Sequence, residues 1–296
     1  MKNLVKLFIL IGRNGSLRHS GFDFPAARTQ VLKRLGISAY PDKPSAARHL
    51  LMKNPYLRRW IVEAAYVKRC FGLRAGHFST GEGKLSYVRI PKAASTSLSK
   101  AMLQTKLPHL GLLDVTAAEI NYLADAHLET ELLENGDGIS VFTVVRNPFE
   151  RIVSVYRQFF EYCDGPFIYQ DYLFGVLHKD LSFRQFVDAV KVIPDKLKDQ
   201  HLKPQYYFLG YYERRNIRVT IIHLDHPEDI SSFLKKYDLA FESINRGAAS
   251  YDYRDYYDQG TLEAVSAIYK VDIERFGYRH IASEIQSIIE HRAVQI

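Results

Sequence analysis

The chain has 296 residues, enough for one large α/β domain or for such a domain with a helical extension, and a sizeable core is within its reach. With 25% charged and 47% hydrophobic residues it has the composition of an ordinary soluble globular protein, which excludes a disordered or collagen-like chain. Forty Lys and Arg against 33 Asp and Glu leave a net charge of +7, a mild excess that suits an anionic cofactor or an acidic polymer and selects neither.

The run Leu4-Val5-Lys6-Leu7-Phe8-Ile9-Leu10-Ile11 is the only targeting candidate. Lys6 interrupts it, and it falls far short of the roughly 20 apolar residues that cross a bilayer. Arg13, Arg18 and His19 follow where a signal peptide needs a small-residue cleavage site, so the run reads as a buried strand or helix. Basic clusters at Arg58-Arg59 and Lys68-Arg69, set among apolar stretches such as Trp60-Ile61-Val62, make 1–80 a mostly helical region packed on an α/β domain over 81–296. Cys70 and Cys163 form no Cys-x-x-Cys pair, which argues against a zinc site and a disulfide framework. Gly81-Glu82-Gly83-Lys84-Leu85 imitates the Gly-x-x-x-x-Gly-Lys-Ser/Thr phosphate loop, but Phe78 stands where the earlier glycine belongs and Leu85 where the hydroxyl belongs.

A short strand is predicted over 86–90, ended by Pro91, which has no N–H for the ladder. From Thr96 the pattern turns helical, with Leu98, Met102 and Leu103 as its apolar stripe. Val141-Phe142-Thr143-Val144-Val145 is short and β-branched, as buried parallel strands are. Asn147 is then a good N-cap and Pro148 a good first helical residue. The helix that follows puts Phe149, Ile152, Val153, Tyr156 and Phe160 on one face and turns Arg151 and Ser154 toward another. Further on, the spacing predicts a helix over 182–191, a strand over 217–224, and helices over 227–237, 261–276 and 282–291. Strands alternating with helices imply a parallel sheet covered on both faces, with ligands at the carboxyl ends of the strands.

Two strand-to-helix junctions carry the chemistry. In the first, Lys92 follows the strand and precedes a turn of small residues, where its ammonium can reach an anion held by the N–H groups of Ala93, Ala94, Ser95, Thr96 and Ser97. The plainer alternative is a turn whose hydroxyls merely cap the helix. In the second junction, Arg146 ends a strand and Ser154 follows eight positions later, two helical turns along. Each loop can hold one phosphate-like group, which points to a nucleotide phosphorylated at two places.

Arg89-Ile90-Pro91-Lys92-Ala93-Ala94-Ser95-Thr96-Ser97 resembles the 5′-phosphosulfate loop of sulfotransferases, especially those acting on polysaccharides such as the uronosyl 2-O-sulfotransferases. Val145-Arg146-Asn147-Pro148-Phe149-Glu150-Arg151 with Ser154 resembles their 3′-phosphate motif. Also similar to this family are His201-Leu202-Lys203-Pro204-Gln205 and the closing pattern Tyr256-Tyr257, Ile268-Tyr269, Asp272, Phe276-Gly277-Tyr278, so the resemblance runs from 86 to 280. It implies a P-loop NTPase-like three-layer α/β/α fold with a central parallel sheet. The implied donor is 3′-phosphoadenosine 5′-phosphosulfate, whose sulfonate passes to an acceptor hydroxyl by in-line displacement without a metal. Lys92 and the loop amides would hold the phosphosulfate, and Arg146 and Ser154 the 3′-phosphate. Arg246, in Ile244-Asn245-Arg246-Gly247, would add a clamp, or is an exposed loop arginine. The implied acceptor is a carbohydrate or glycolipid, not nucleic acid.

The acceptor hydroxyl needs a general base. His127 lies between the two motifs, where the uronosyl enzymes carry their catalytic histidine, but a few residues closer to Arg146 than they do. His201, in its family-like stretch, is the second candidate, and carboxylates such as Glu129 or Glu131 are the third. His223 and His226 have an imaginable metal-ligand spacing but read as a solvated turn. A P-loop-type nucleotide kinase lacks its metal-binding hydroxyl in the expected place. A non-catalytic binder of anionic glycans or nucleic acid leaves the spacing of Arg146 and Ser154 unexplained. Animal glycan sulfotransferases usually carry a membrane anchor, and none is legible here, so a bacterial cytoplasmic enzyme, free or peripheral to a membrane, is the simplest expectation. The oligomeric state is not legible.

Overall fold

The computed structural model describes residues 76–79, 85–108, 112, 115–128, 138–162, 171–172, 175–242 and 251–294. The region read as helical lies outside the described residues up to 75, and so do Cys70, Glu129, Glu131, Cys163 and Arg246. In chain order the elements are β1 (Gly76–Ser79), β2 (Leu85–Arg89), α1 (Ser95–Lys106), α2 (Ala117–His127), β3 (Ser140–Val145), α3 (Pro148–Tyr156), β4 (Asp171–Tyr172) and β5 (Leu177–His178). They continue with α4 (Phe183–Val192), α5 (Gly210–Arg214), β6 (Val219–His223), α6 (Pro227–Lys235), α7 (Gln259–Ile268), α8 (Lys270–Arg275) and α9 (Arg279–Val294).

The main sheet runs β1-β2-β3-β6. β2, β3 and β6 are parallel, with Tyr87 opposite Phe142 and Val144 opposite Ile222. β1 pairs antiparallel to β2 with Phe78 opposite Tyr87, so the sheet is parallel except at this edge. β1 lies at the end of the region read as mostly helical: four residues are too few to show a period, and the strand is declared by its pairing partner.

Alternation along the strands divides the core into two layers. Leu85, Tyr87, Phe142, Val144 and Ile222 face Leu98 and Met102 of α1, Ile120 and Leu123 of α2 and Ile230 and Leu234 of α6. Val88, Val141 and Val145 face Phe149, Ile152 and Val153 of α3, together with α4, α7 and Ile285 of α9. This gives the three-layer α/β/α arrangement, with both predicted loops at the carboxyl ends of adjacent strands. Thr143, the polar residue inside β3, is fully buried and donates to the Val88 carbonyl at 2.8 Å, which ties the two functional strands together.

The helix expected over 261–276 is instead two, α7 and α8, meeting at Tyr269 (φ −110°, ψ 24°). The Tyr269 hydroxyl donates to the Leu202 carbonyl at 2.8 Å, a buried tertiary bond that the helical period does not announce. Among the described residues no helix is long and apolar enough to cross a membrane.

Candidate active site

Lys92 and Ala94 both take left-handed backbone angles, with φ of 68° and 56°. These are unusual for residues with a Cβ, and they turn the chain sharply from β2 into α1. Ala94 is the N-cap of α1 and supplies no side-chain cap, so the helix opens with first-turn amides that have no intrahelical acceptor. None of the loop hydroxyls therefore stands at the N-cap position itself. The Ala93 N–H bonds back to the Ile90 carbonyl at 3.4 Å, which closes the turn. We expect Ala94→Gly to raise stability by about 0.5–1 kcal/mol in urea unfolding, because relief of left-handed strain exceeds the added chain entropy. An unchanged midpoint would mean that the turn is not strained.

The Lys92 ammonium donates to Gln158 Oε1 at 2.6 Å and lies 5.7 Å from the centre of the Phe159 ring. Arg146 reaches the same loop from β3, its Nη1 donating to the Lys92 carbonyl at 3.1 Å. Its Nη2 pairs with Glu150 at 2.6 Å; burial disfavours the guanidinium charge, but Glu150, with Tyr251 and Asp225, outweighs it and raises the pKa. Glu150, Ser154 and Gln158 recur every four residues along α3 and its continuation, so one helical stripe passes beneath both basic groups. Glu150 holds Arg146 at one end, Gln158 holds Lys92 at the other, and Ser154 lies between them. As predicted, Asn147 caps this helix, accepting from the Phe149 N–H at 3.0 Å, with Pro148 in its first turn.

Beyond Tyr156 the helix widens into a π turn, Arg157–Glu161, a form often found at functional sites. The turn carries Gln158 and Phe159 to the Lys92 loop.

Arg151 is not turned away from the core as the helical period suggested. It is 1% exposed, and its Nε, Nη1 and Nη2 donate to the carbonyls of Pro91, Lys203 and Gln200 at 3.0, 3.0 and 3.1 Å. A guanidinium presents donors in a fixed fork, and here the fork joins the Lys92 loop to the segment around His201. Gln205, wholly buried, makes a second splice: its side-chain amide accepts from the Arg146 N–H at 2.9 Å and donates to the Arg146 carbonyl at 2.8 Å. Asp272 in α8 accepts from the N–H groups of Gln205 and Tyr206 at 2.6 and 2.9 Å, and burial pushes its carboxyl up to about 6. Sequence reasoning gave none of these three residues its supporting role. The only signal was their presence in the family-like stretches.

The two histidine candidates separate. His201 Nδ1 lies 2.6 Å from Asp199, its ring meets Phe159 edge-on at 5.0 Å, and Lys92 lies within electrostatic reach. Burial lowers its pKa below the ordinary histidine value; Asp199 opposes the shift, while Lys92 and Arg151 add to it. His127 ends α2, and its carbonyl accepts from Lys106, the last residue of α1. The Lys92 loop begins the same 12-residue helix, about 18 Å long, so Lys106 meets His127 at the end of α1 opposite that loop. His223 bonds the Tyr278 hydroxyl at 3.1 Å, and among the described residues no cluster of three or more His, Cys, Asp or Glu is arranged to hold a metal.

A family model described as "Sulfotransferase family" matches residues 77–279, more than half of the chain. No curated protein and no solved structure matches it.

Proposed function

The chain belongs to the sulfotransferase family, and on that premise we propose that it moves the sulfonate of 3′-phosphoadenosine 5′-phosphosulfate to a carbohydrate hydroxyl. The observation that carries this reading is the meeting of the two junctions, with Arg146 bonded to the Lys92 carbonyl and one stripe of α3 beneath both side chains. In this reading the α1 amides and Lys92 take the 5′-phosphosulfate, and Arg146 and Ser154 take the 3′-phosphate. Arg246 remains a proposed additional clamp. The carbohydrate acceptor rests on the resemblance of the Lys92 loop to glycan-acting enzymes.

The acceptor oxygen attacks sulfur and forms the new O–S bond as the bond from sulfur to the 5′-phosphate oxygen breaks, leaving its electron pair on that oxygen. Lys92 and the first-turn amides stabilise the charge growing there more in the transition state than in the ground state. We assign the hydroxyl proton to His201 Nε2. Asp199 orients the ring through Nδ1, and the depressed pKa keeps the imidazole neutral, and so able to accept a proton, at pH 7. His127, placed by the opposite end of α1, is the alternative base.

His201→Asn is expected to lower kcat about 100-fold without abolishing bisphosphate binding. Activity should fall as pH drops through the His201 pKa, below the ordinary histidine value. Asp199 pulls that pKa upward, so Asp199→Asn should move the acidic limb of kcat/KM to lower pH. An acidic limb unchanged in Asp199→Asn would remove His201 from the role of base.

Thermal unfolding with adenosine 3′,5′-bisphosphate, ATP with magnesium, and heparin tests the donor. A ligand at 100 times its dissociation constant stabilises by about 2.7 kcal/mol. The reading expects that response from the bisphosphate. A shift with ATP alone would favour a kinase, and one with heparin alone a glycan binder.

A further inference from the structure

Arg157 is a buried cation that the proposed chemistry does not use. Arg157 opens the π turn and is 8% exposed, and its Nη1 is buried with no hydrogen-bond partner among the described residues. Its Nη2 donates to the Tyr162 hydroxyl, and its Nε lies 3.4 Å from Glu161. That carboxylate also accepts from the Tyr256 hydroxyl at 2.9 and 3.0 Å. The guanidinium carbon lies over the Tyr251 ring, 3.4 Å from its centre. A buried charge left without full compensation is costly, and an arginine fixed over an aromatic face is preorganised to receive a planar or tetrahedral oxyanion.

Its position says which oxyanion. Arg157 is three residues past Ser154, on the adjoining part of the same helical stripe and about 4.5 Å further along the axis. Tyr251, against which it is held, is also within electrostatic reach of Arg146. Tyr251 thus packs against one guanidinium and feels the charge of the other. Arg146 and Arg157 are each paired with one carboxylate, at 2.6 and 3.4 Å, and each keeps a buried nitrogen, Nε and Nη1, with no hydrogen-bond partner among the described residues, which are donors for a phosphate monoester.

We infer that Arg157 is a second guanidinium for the nucleotide 3′-phosphate, positioned by Tyr251 and completing the site begun by Arg146 and Ser154. The inference rests on the nucleotide reading above and adds to it a residue that discriminates by charge at the 3′ position.

Isothermal titration with adenosine 3′,5′-bisphosphate and with adenosine 5′-monophosphate separates the two claims. In the wild-type protein the bisphosphate should bind far more tightly; equal affinities would overturn the nucleotide reading itself. Given that preference, Arg157→Gln should weaken the bisphosphate about 30-fold and leave the monophosphate within about twofold. Arg157→Lys keeps a buried cation, and so the fold, and should lose about tenfold for the bisphosphate alone, because an ammonium lacks the planar fork. Equal losses for both ligands would place Arg157 against the nucleoside, and no loss in either variant would remove it from the site; each result overturns the inference.

Discussion

Replacing Lys92 with methionine is expected to lower kcat for sulfonate transfer about 1,000-fold, close to 4 kcal/mol of transition-state stabilisation, while adenosine 3′,5′-bisphosphate still binds within about tenfold. Methionine keeps the length of the side chain and its packing on Phe159, so the substitution removes the ammonium and little else. The cost falls on the step because charge appears on the bridging oxygen only as the S–O bond breaks. kcat and kcat/KM should therefore fall together, the signature of an interaction made in the transition state. Gln158 loses its 2.6 Å partner in the variant but lies on a helix held elsewhere, so the site keeps its shape. Single-turnover transfer from the radiolabelled donor reads the rate, and titration with the bisphosphate reads binding. Full turnover in the variant would remove Lys92 from the chemistry.

Arg151→Met is expected to destabilise the protein by about 3–5 kcal/mol, seen as a lower urea midpoint. The methionine fills part of the space but leaves the carbonyls of Pro91, Gln200 and Lys203 without the donors that satisfy them. Burial already lowers the arginine's pKa, Arg146 adds to that, and Tyr269, Asp272 and Asp199 oppose it, so housing this charge is costly even in the intact site. Arg151→Lys should rescue little, because one ammonium cannot reproduce a three-pronged fork. Both variants should also loosen the bisphosphate, since the Lys92 loop loses its tie to the His201 segment. A midpoint within experimental error of wild type would mean that Gln205 and Asp272 suffice to hold the two segments together.

The parts of this architecture that are periodic or capped were legible in the chain. β2, β3 and α3 carry local signals, among them Pro91 closing a strand and Asn147-Pro148 opening a helix. Both junctions followed from those signals and from the resemblance. What stayed hidden depends on distant partners. β1 is four residues that become a strand only beside Tyr87, and α7 parts from α8 because Tyr269 bonds the Leu202 carbonyl, 67 positions away. The period turned Arg151 toward another face without showing that it is buried there, because its acceptors are backbone carbonyls, which leave no trace in side-chain patterns. The two histidines were equivalent as letters, and only the far end of α1 and the neighbourhood of Phe159 tell them apart.

The continuous helix from Pro148 through the π turn to Glu161 also acts as a gauge. It sets the separation between the grip on Arg146 and the grip on Lys92 by counting residues, and an α-helix advances about 1.5 Å and rotates about 100° with each one. Side chains along this rod can be exchanged one at a time at graded cost. A single insertion or deletion between Glu150 and Gln158 would swing one grip a quarter-turn or more away from the other. The segment should therefore tolerate changes of spelling far better than changes of length, which makes it the stretch where a one-residue indel is most damaging to the enzyme.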